Sequence, residues 1–285
     1  MSDSGVFNSF STNRGTFGAR EFLESNSLVA KMAFLLLVLF LFVLALRFGI
    51  YLLSYFLKPT DSPHLIDGMV DAKQMLVFHQ DPSTSGSKTI YRSVNETDGI
   101  EFTWSTWIFI NSMDTNSGMY KHVFSKGNSN LADNGLVQPN NAPGVYIAPN
   151  TNALVVIMNT FKVINEEIVI PDIPLNKWVN VVIRCENTNL DVYINGTIAR
   201  SIDLVGVPKQ NYGDVYVGMN GGFDGYLSNL WYYNRALGAS AIQNLVRNGP
   251  NLRMIGGNSL MNKTYNYLSL RWFFAGASDG FNPTS

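Results

Sequence analysis

The stretch LNKWVNVVIRCENTNLDVYINGTIARS, residues 175–201, decides the fold. Apolar and polar residues alternate with a period of two on both sides of Asn195-Gly196, which is typical of β-strands with one buried face. An Asn-Gly pair between two such runs is the strongest short signal for a β-hairpin. The stretch therefore predicts a strand opened by Trp178 and, after it, two strands joined at Asn195 and Gly196.

The same pattern extends on both sides, from about residue 65 to residue 250. Short apolar or alternating runs are separated by clusters of Asn, Gly, Pro and Asp, which is typical of an antiparallel β-sandwich. IEFTWSTWIFIN, residues 100–111, places Phe102, Trp104, Ile108 and Ile110 on one face. GVYIAPNTNALVVIMNTF, residues 144–161, predicts two strands around an Asn-rich turn. The fold class predicted is all-β.

The stretch GYLSNLWYYNRALGASAIQNL, residues 225–245, changes its period halfway. Its first part predicts a final strand that buries Leu230 and Tyr232. Ile242 and Leu245 then lie one helical turn apart, which predicts a short helix that closes an open end of the sandwich. Asn248, Gly249 and Pro250 end that helix.

Composition limits the class of partner. The 285 residues are 46% apolar, enough for a sizeable core, whereas only 14% are charged and the formal net charge is −1. This charge balance gives no basic surface for a phosphate backbone and excludes nucleic acid as a direct partner. The single cysteine, Cys185, forms no intramolecular disulfide and is expected to be a buried strand residue.

An apolar run ahead of the sandwich predicts a membrane anchor. Leu28 to Leu46 carry one charge, at Lys31, and as a helix they would be about 28 Å long, close to the hydrocarbon thickness of a bilayer. We expect the span to end at Arg47, because this charge is costly at the bilayer centre. An interfacial extension to residue 57 follows, with aromatic and basic residues typical of membrane boundaries: Phe48, Tyr51, Tyr55, Phe56 and Lys58.

The rival interpretation of this run is a removable signal peptide, but the run begins more than 25 residues from the start, later than in typical signal peptides. The charges on either side are too evenly divided to predict the topology. The predicted organisation is a flexible arm (1–27), a transmembrane helix with its extension (28–57), a linker (58–64), the sandwich (65–250) and a tail (251–285). The tail is rich in aromatics, including Trp272 and Phe273, and is expected to dock on the domain or on a neighbouring protein.

The order of motifs resembles the laminin G-like, concanavalin A-like jelly roll, in which a strand opened by Trp, an Asn-Gly hairpin and a Phe-Asp-Gly phrase follow one another. The matching positions are Trp178, Tyr193, Asn195, Gly196, Gly218, Phe223, Asp224, Gly225, Leu227, Tyr233, Asn234, Arg235, Leu237 and Ile242. Two departures stand out. Ser228 and Asn229 replace the acidic residues that commonly follow Phe-Asp-Gly, and Trp231 replaces a polar residue.

The resemblance suggests several kinds of site. Some members bind calcium at the sandwich rim, for which Asp133, Asp214 and Asp224 are the weak candidates here. Tyr212, Trp231 and Tyr233 are candidates for stacking on a sugar ring, or alternatively for packing against the sheet or the tail. No motif indicates a cofactor, and the three histidines lack metal-ligand spacing.

Two catalytic patterns are present only formally. Glu96, Asp98 and Glu101 have the spacing of a glucanase carboxylate motif, but Gly99 interrupts the strand that such a motif needs. The phrase GASDG around Ser278 matches a nucleophile elbow but leaves no room for the helix that must follow it. The sequence therefore predicts a protein that is not an enzyme.

The anchor run followed by this domain is similar to anchored laminin G-like proteins of large double-stranded DNA viruses. That resemblance implies a single-pass protein of the virion internal membrane, a minor capsid component that contacts the lipid bilayer and neighbouring structural proteins. The alternatives are a membrane-anchored lectin that binds glycans through loops at one edge of the sandwich and, third, a glycan hydrolase.

Overall fold

A computed structural model describes residues 28–57, 60–84, 86–92, 94–96 and 99–256, with the backbone alone for 57, 94–96 and 99. The chain divides into two compact units, Met1–Lys58 and Pro59–Ser285. Each unit is described by itself. The predicted N-terminal arm, Lys58 and the tail beyond residue 256, with Trp272, Phe273 and Ser278, lie outside the described residues.

The described part of the first unit is one helix, α1 (Leu28–Leu57, 30 residues). Its length is about 45 Å at 1.5 Å per residue, and its apolar side chains are exposed on all sides. Within the described residues, Leu28–Phe56 is the one helix long and apolar enough to cross a membrane. The helix continues through Arg47, Tyr51 and Tyr55, so the end of the membrane span at Arg47 stays a prediction.

The second unit is a sandwich of two antiparallel sheets, as the sequence predicted. The first sheet has seven strands in the order β1 (His64–Asp71), β15 (Asp224–Tyr233), β4 (Gly99–Ser112), β11 (Trp178–Asn187), β12 (Asn189–Ile194) and β13 (Thr197–Asp203), and β3 (Val94–Glu96) pairs with the start of β4.

The second sheet has six strands in the order β10 (Glu166–Ile170), β9 (Leu154–Met158), β8 (Asn141–Ile147), β5 (Lys121–Gly127), β14 (Asp214–Val217) and β2 (Leu76–Phe78). A small hairpin of β6 (Asn130–Leu131) and β7 (Val137–Gln138), a 3₁₀ turn (Met219–Gly221) and a helix, α2 (Ala239–Asn248), complete the described elements.

The core lies between the two sheets and follows the predicted alternation. Phe102, Trp104, Ile108 and Ile110 of β4 are buried in it. The ring centroid of Trp104 lies 5.2 Å from that of Phe124 in the opposite sheet. The predicted hairpin is also confirmed, since β12 and β13 are joined by Asn195 and Gly196, both at positive φ.

A bulge in β15 explains why its inward residues do not alternate evenly. Leu227 and Leu230 are three residues apart, yet both are buried in the core. The register with β4 shifts between Ser228 and Trp231, and Asn229 has a φ of 52°. Asparagine tolerates this left-handed conformation better than most residues. The extra residue therefore restores the inward direction for Leu230 and Tyr232.

The position predicted for the short helix is wrong. Helix α2 lies on the outer face of the seven-stranded sheet, where Ile242 is buried against Val182, Tyr193 and Leu237. Val182 points away from the core that its neighbour Val181 enters. Without α2, the outward apolar side chains of β11 and β12 would face water, so the helix covers a sheet face rather than an end. It ends at Gly249, as predicted.

The sandwich continues past the predicted boundary at residue 250. Residues 249–255, here called the C-terminal strap, run along β1: Met69 N donates to Arg253 O at 2.8 Å, and Ile255 N donates to Met69 O at 2.8 Å. The hydroxyl of Ser228 bonds to both the N–H and the carbonyl of Asn251. Ser228, which replaces an acidic residue of the family pattern, thus holds the strap.

A buried histidine stabilises the outer part of the six-stranded sheet. His122 Nδ1 accepts the N–H of Met219 at 3.2 Å, so the neutral ring carries its proton on Nε2 and donates it to Ser125 Oγ at 2.9 Å. Burial lowers the pKa of His122 from 6.5 to about 3. His122 is therefore neutral in the folded protein at neutral pH.

This shift predicts a dependence of stability on pH. Because the folded pKa is the lower one, the contribution of neutral His122 is fully present above pH 6.5 and is lost as the pH falls towards 3. Between pH 6 and pH 4, the free energy of unfolding of the wild type should fall faster than that of His122→Gln, by up to about 1.4 kcal/mol per pH unit. Urea unfolding of the detergent-solubilised chain, followed by tryptophan fluorescence, measures this; equal slopes would contradict the buried neutral state.

Candidate functional site

A cleft of about 500 Å³ opens between the two sheets at one end of the sandwich. Its outer walls are residues 80–82 and 89–92, from the segment after β2, and residues 209–212, which precede β14. Its inner wall, here called the floor, consists of core side chains from both sheets. This volume lies in the range of small-molecule binding sites.

Gln80 holds the wall formed by residues 80–82 and 89–92, here called the first wall, in place. This buried side chain donates to Phe78 O at 3.1 Å and to Lys88 O at 3.0 Å, and it accepts from Ile90 N at 2.8 Å. One amide group therefore ties both ends of the segment together. The wall keeps its shape through hydrogen bonds, since it has no regular secondary structure.

Lys126 holds the wall formed by residues 209–212, here called the second wall, in place. Its ammonium group donates to Asn211 O at 2.9 Å and to Gly213 O at 2.8 Å. Burial lowers the pKa of Lys126 to about 8, although the charge of Asp214 acts in the opposite direction. The Asn211 side chain returns a hydrogen bond to Lys126 O at 3.0 Å. The strand β5 thus holds the wall in place beneath its exposed residues.

The rim of the cleft is polar and carries one exposed aromatic ring. Arg92 Nε donates to Gln210 Oε1 at 3.3 Å and joins the two walls across the opening. Tyr212 is 80% exposed. Lys209 lies three residues earlier in the sequence, and its ammonium group is 5.4 Å from the ring centroid of Phe161. An exposed ring next to N–H donors is the combination with which proteins bind polar rings of small molecules.

The structure separates the three predicted aromatic contacts. Tyr212 lines the cleft, but Trp231 and Tyr233 lie on the outer face of β15. The Trp231 ring stacks on His64, with centroids 3.7 Å apart, and on Tyr233, with centroids 5.9 Å apart. Tyr233 also packs against the cluster beneath α2, and burial raises its pKa. These two residues pack against the sheet, which is the alternative that the sequence left open.

The candidate metal ligands do not converge. Asp214 accepts from His79 Nδ1 at 2.8 Å and from Gln80 N at 2.9 Å. Asp224 lies 2.6 Å from the ammonium group of Lys73, which lowers the pKa of its carboxyl group. Asp133 lies between β6 and β7. Among the residues that the structure describes, no three His, Cys, Asp or Glu side chains are grouped so as to hold a metal ion.

The formal carboxylate motif does not lie on one strand. Glu96 pairs with Gly99 across β3 and β4, so the chain reverses between Glu96 and Glu101. Glu101 lies on the outer face of β4, where its carboxylate accepts the N–H of Ala236 at 3.3 Å. A pair of carboxylates at hydrolytic spacing requires both groups on one side of a substrate, and the backbone here does not provide that arrangement.

Sequence analysis missed most of the cleft. Gln80, Arg92 and Lys126 come from separate segments, and none stands in a recognisable motif. The sequence contains only an indirect signal of these residues. Polar residues flank the short strands at positions where the loops of a sandwich meet. Tyr212 was predicted only as one of three aromatic residues suited to stacking on a sugar ring.

Comparison with known proteins identifies the domain. A family model described as the concanavalin A-like lectin/glucanases superfamily matches residues 82–243. No curated protein matches the chain. Solved structures that match include the binding domain of botulinum neurotoxin serotype G, with 16% identity, a TM-score of 0.40, and coverage of 52% of this chain and 36% of that one.

A second matching structure is the ligand-binding domain of botulinum neurotoxin serotype D in complex with N-acetylneuraminic acid, with 16% identity and a TM-score of 0.42. It covers 55% of this chain and 39% of that one. The chain thus spans well under half the length of these structures. Structural similarity with such low identities and TM-scores does not indicate which ligand the cleft binds.

Proposed function

The chain belongs to the concanavalin A-like lectin/glucanases superfamily, and from this we propose that it is a membrane-anchored binding module whose cleft rim binds a carbohydrate. The observation that carries the proposal is the exposed ring of Tyr212 beside Arg92, Lys209 and Gln210 at the cleft opening. A sugar presents an apolar ring face to an aromatic residue and hydroxyl groups to the surrounding donors.

The proposal includes no catalysis. The hydrolase alternative was based on the motif of Glu96, Asp98 and Glu101, and Glu101 lies on the face of β4 opposite to Phe102 and Trp104, which line the cleft. A carboxylate on that side of the sheet does not reach a sugar at the rim. Replacement of Glu96 by Gln remains the direct test if any glycan hydrolysis is detected.

Membrane attachment is supported by α1. Its apolar side chains are exposed around the whole helix, and burying them in lipid stabilises the protein by about 25 cal/mol per Å² of apolar surface. We infer a single-pass anchor with Lys31 near one boundary, and Arg47, Tyr51, Tyr55 and Lys58 towards the other. Alkaline carbonate extraction of membranes tests this, since a spanning helix stays with the lipid.

We propose further that the protein is a virion component, attached to an internal membrane and in contact with neighbouring structural proteins. Support for this comes from the sequence resemblance of anchor plus domain, to which α1 adds a helix of suitable length. Detergent extraction of purified particles followed by mass spectrometry tests it. Recovery of the chain in the detergent fraction supports the role, and its absence from particles contradicts it.

Tyr212→Ala should reduce glycan binding at least tenfold, because the stacking surface is lost while its neighbours remain. The full chain in detergent is applied to a glycan array, and hits are measured by titration. The free energy of unfolding should change by less than about 0.5 kcal/mol, as expected for an exposed residue. Trp231→Ala is the matched control: it removes an aromatic ring outside the cleft and should leave binding unchanged. A loss on Trp231→Ala alone would place the site on the outer face.

A further inference from the structure

The floor of the cleft differs in chemistry from its rim. It is lined by apolar and aromatic side chains from both sheets and the first wall: Ile90, Ile100, Phe102, Trp104, Met158 and Tyr232. The hydroxyl of Tyr232 already donates to Tyr91 O at 3.2 Å. The inner part of the cleft thus merges with the apolar core, in which Trp104 and Met158 are fully buried, whereas Ile90 is partly exposed at the opening.

A sugar ring suits the rim but not the floor. Hydroxyl groups moved against Phe102 or Met158 would lose water without gaining partners, which is strongly unfavourable. An alkyl chain has the opposite preference, because each buried methylene increases affinity about fourfold. The floor therefore favours a hydrocarbon group, whereas the rim favours a polar one.

The rim is also complementary to negative charge. Three cations line the cleft: Arg92, Lys126 and Lys209. The two carboxylates among the lining residues are already engaged. Asp214 accepts from His79 and Gln80, and Asp81 accepts from Ser83 N at 2.9 Å. With Asp81 and Asp214 counted, the lining residues carry three positive and two negative charges, so a negative group at the opening meets a small excess of positive charge.

We propose that the cleft binds a single-chain amphiphile with an anionic head group, its alkyl chain entering past Ile90 towards Phe102 and Tyr232 and its head lying beside Arg92 and Lys209. This inference goes beyond carbohydrate binding at the rim and does not depend on it. Since both ligands occupy the rim, a bound amphiphile excludes the glycan.

The chain's own C-terminal segment is the competing occupant. Residues 257–285 are rich in aromatic and aliphatic residues, and their charged side chains, Lys263, Arg271 and Asp279, give a net charge of +1. Like charges at the cationic rim oppose this docking. The anionic amphiphile is therefore the better match to the cleft.

Photo-crosslinking tests the proposal on the full chain in phosphatidylcholine nanodiscs. The probe is an eight-carbon fatty acid with a diazirine at the end of its chain, and labelled peptides are mapped by mass spectrometry. Labels in α1 report partition into the bilayer, and labels at Phe102, Trp104 or Tyr232 report the cleft. Ile90→Trp, which fills the opening, should reduce cleft labelling at least tenfold. Val205→Trp, at an exposed site outside the lining, should leave it unchanged.

The head group is tested with a probe of the same chain length that ends in an uncharged amide. We expect Arg92→Gln combined with Lys209→Gln to reduce labelling by the carboxylate probe about tenfold and to leave labelling by the amide probe unchanged. Equal labelling of wild type by both probes overturns the anionic head. Cleft labelling that is the same in Ile90→Trp overturns the site.

Deletion of residues 257–285 tests whether the C-terminal segment occupies the cleft. Unchanged cleft labelling supports the proposal, and a tenfold increase shows that the C-terminal segment fills the cleft in the full chain, which overturns it. The glycan array gives an independent result. If the cleft is labelled but the glycan array is blank, carbohydrate binding is rejected and the amphiphile proposal stands. If glycans bind but the cleft is not labelled, the amphiphile proposal is rejected and carbohydrate binding stands.

Discussion

Trp104→Ala should lower the free energy of unfolding by about 3–5 kcal/mol, the cost of replacing a fully buried tryptophan by alanine. Trp104 is 1% exposed, and its ring lies 5.2 Å from Phe124 and 5.0 Å from Tyr232 between centroids. The substitution removes the Trp104 ring contacts with Phe124 and Tyr232 and extends the cleft into the core. Urea unfolding, followed by far-ultraviolet circular dichroism, measures the loss.

Trp231→Ala is the control for this measurement. Its ring is only partly exposed but stacks on the outer face of the sheet, outside the core, so the expected loss is about 1 kcal/mol. Similar losses of unfolding free energy in the two variants would mean that side-chain packing between the sheets is not the main source of stability. Trp104→Phe should lie between them, because it retains part of the buried ring.

Asn141→Ala should lower the free energy of unfolding by about 3 kcal/mol, because it removes a donor to the buried Val137 carbonyl and the acceptor of the buried Tyr146 hydroxyl. Asn141 is fully buried. Its side chain donates to Val137 O at 2.8 Å and accepts from the hydroxyl of Tyr146 at 2.6 Å. These bonds hold β7 against the outer face of the six-stranded sheet, so that hairpin should become exposed when they are lost.

Hydrogen exchange shows which part of the structure Asn141→Ala destabilises. Amides of residues 130–138 should exchange faster in the variant, whereas those of β11 should change only through the lower global stability. Asn150→Ala, at an exposed position in the turn between β8 and β9, should change stability by less than about 0.5 kcal/mol. An equal effect of both substitutions would argue against the buried network.

The strands of the sandwich were predictable because their signal is local. Alternation in β4 and the Asn195-Gly196 turn depend on neighbours within a few residues, and both were confirmed. The bulge at Asn229 was less visible, since it appears in the sequence only as an uneven spacing of Leu227 and Leu230. The outward apolar residues Val182 and Tyr193, which decide the position of α2, were read as part of an ordinary strand.

The cleft was not predictable for a different physical reason. Its shape depends on which segments the two sheets bring together, and Arg92 and Gln210 are 118 positions apart in sequence. Gln80 and Lys126 act through bonds to backbone carbonyls, which any residue supplies, so no sequence pattern marks their partners. The separation of Tyr212 from Trp231 likewise follows from their positions in different parts of the sandwich, although both are aromatic residues near strand ends.

The C-terminal strap has a consequence for how this domain can associate. It occupies the backbone N–H and carbonyl of Met69 at the outer edge of β1. The opposite edge of the same sheet, β13, keeps its residues largely exposed. Among the described strands, β13 is therefore the edge of this sheet at which an added strand would find its pairing groups, and Arg200 and Asp203 lie along it.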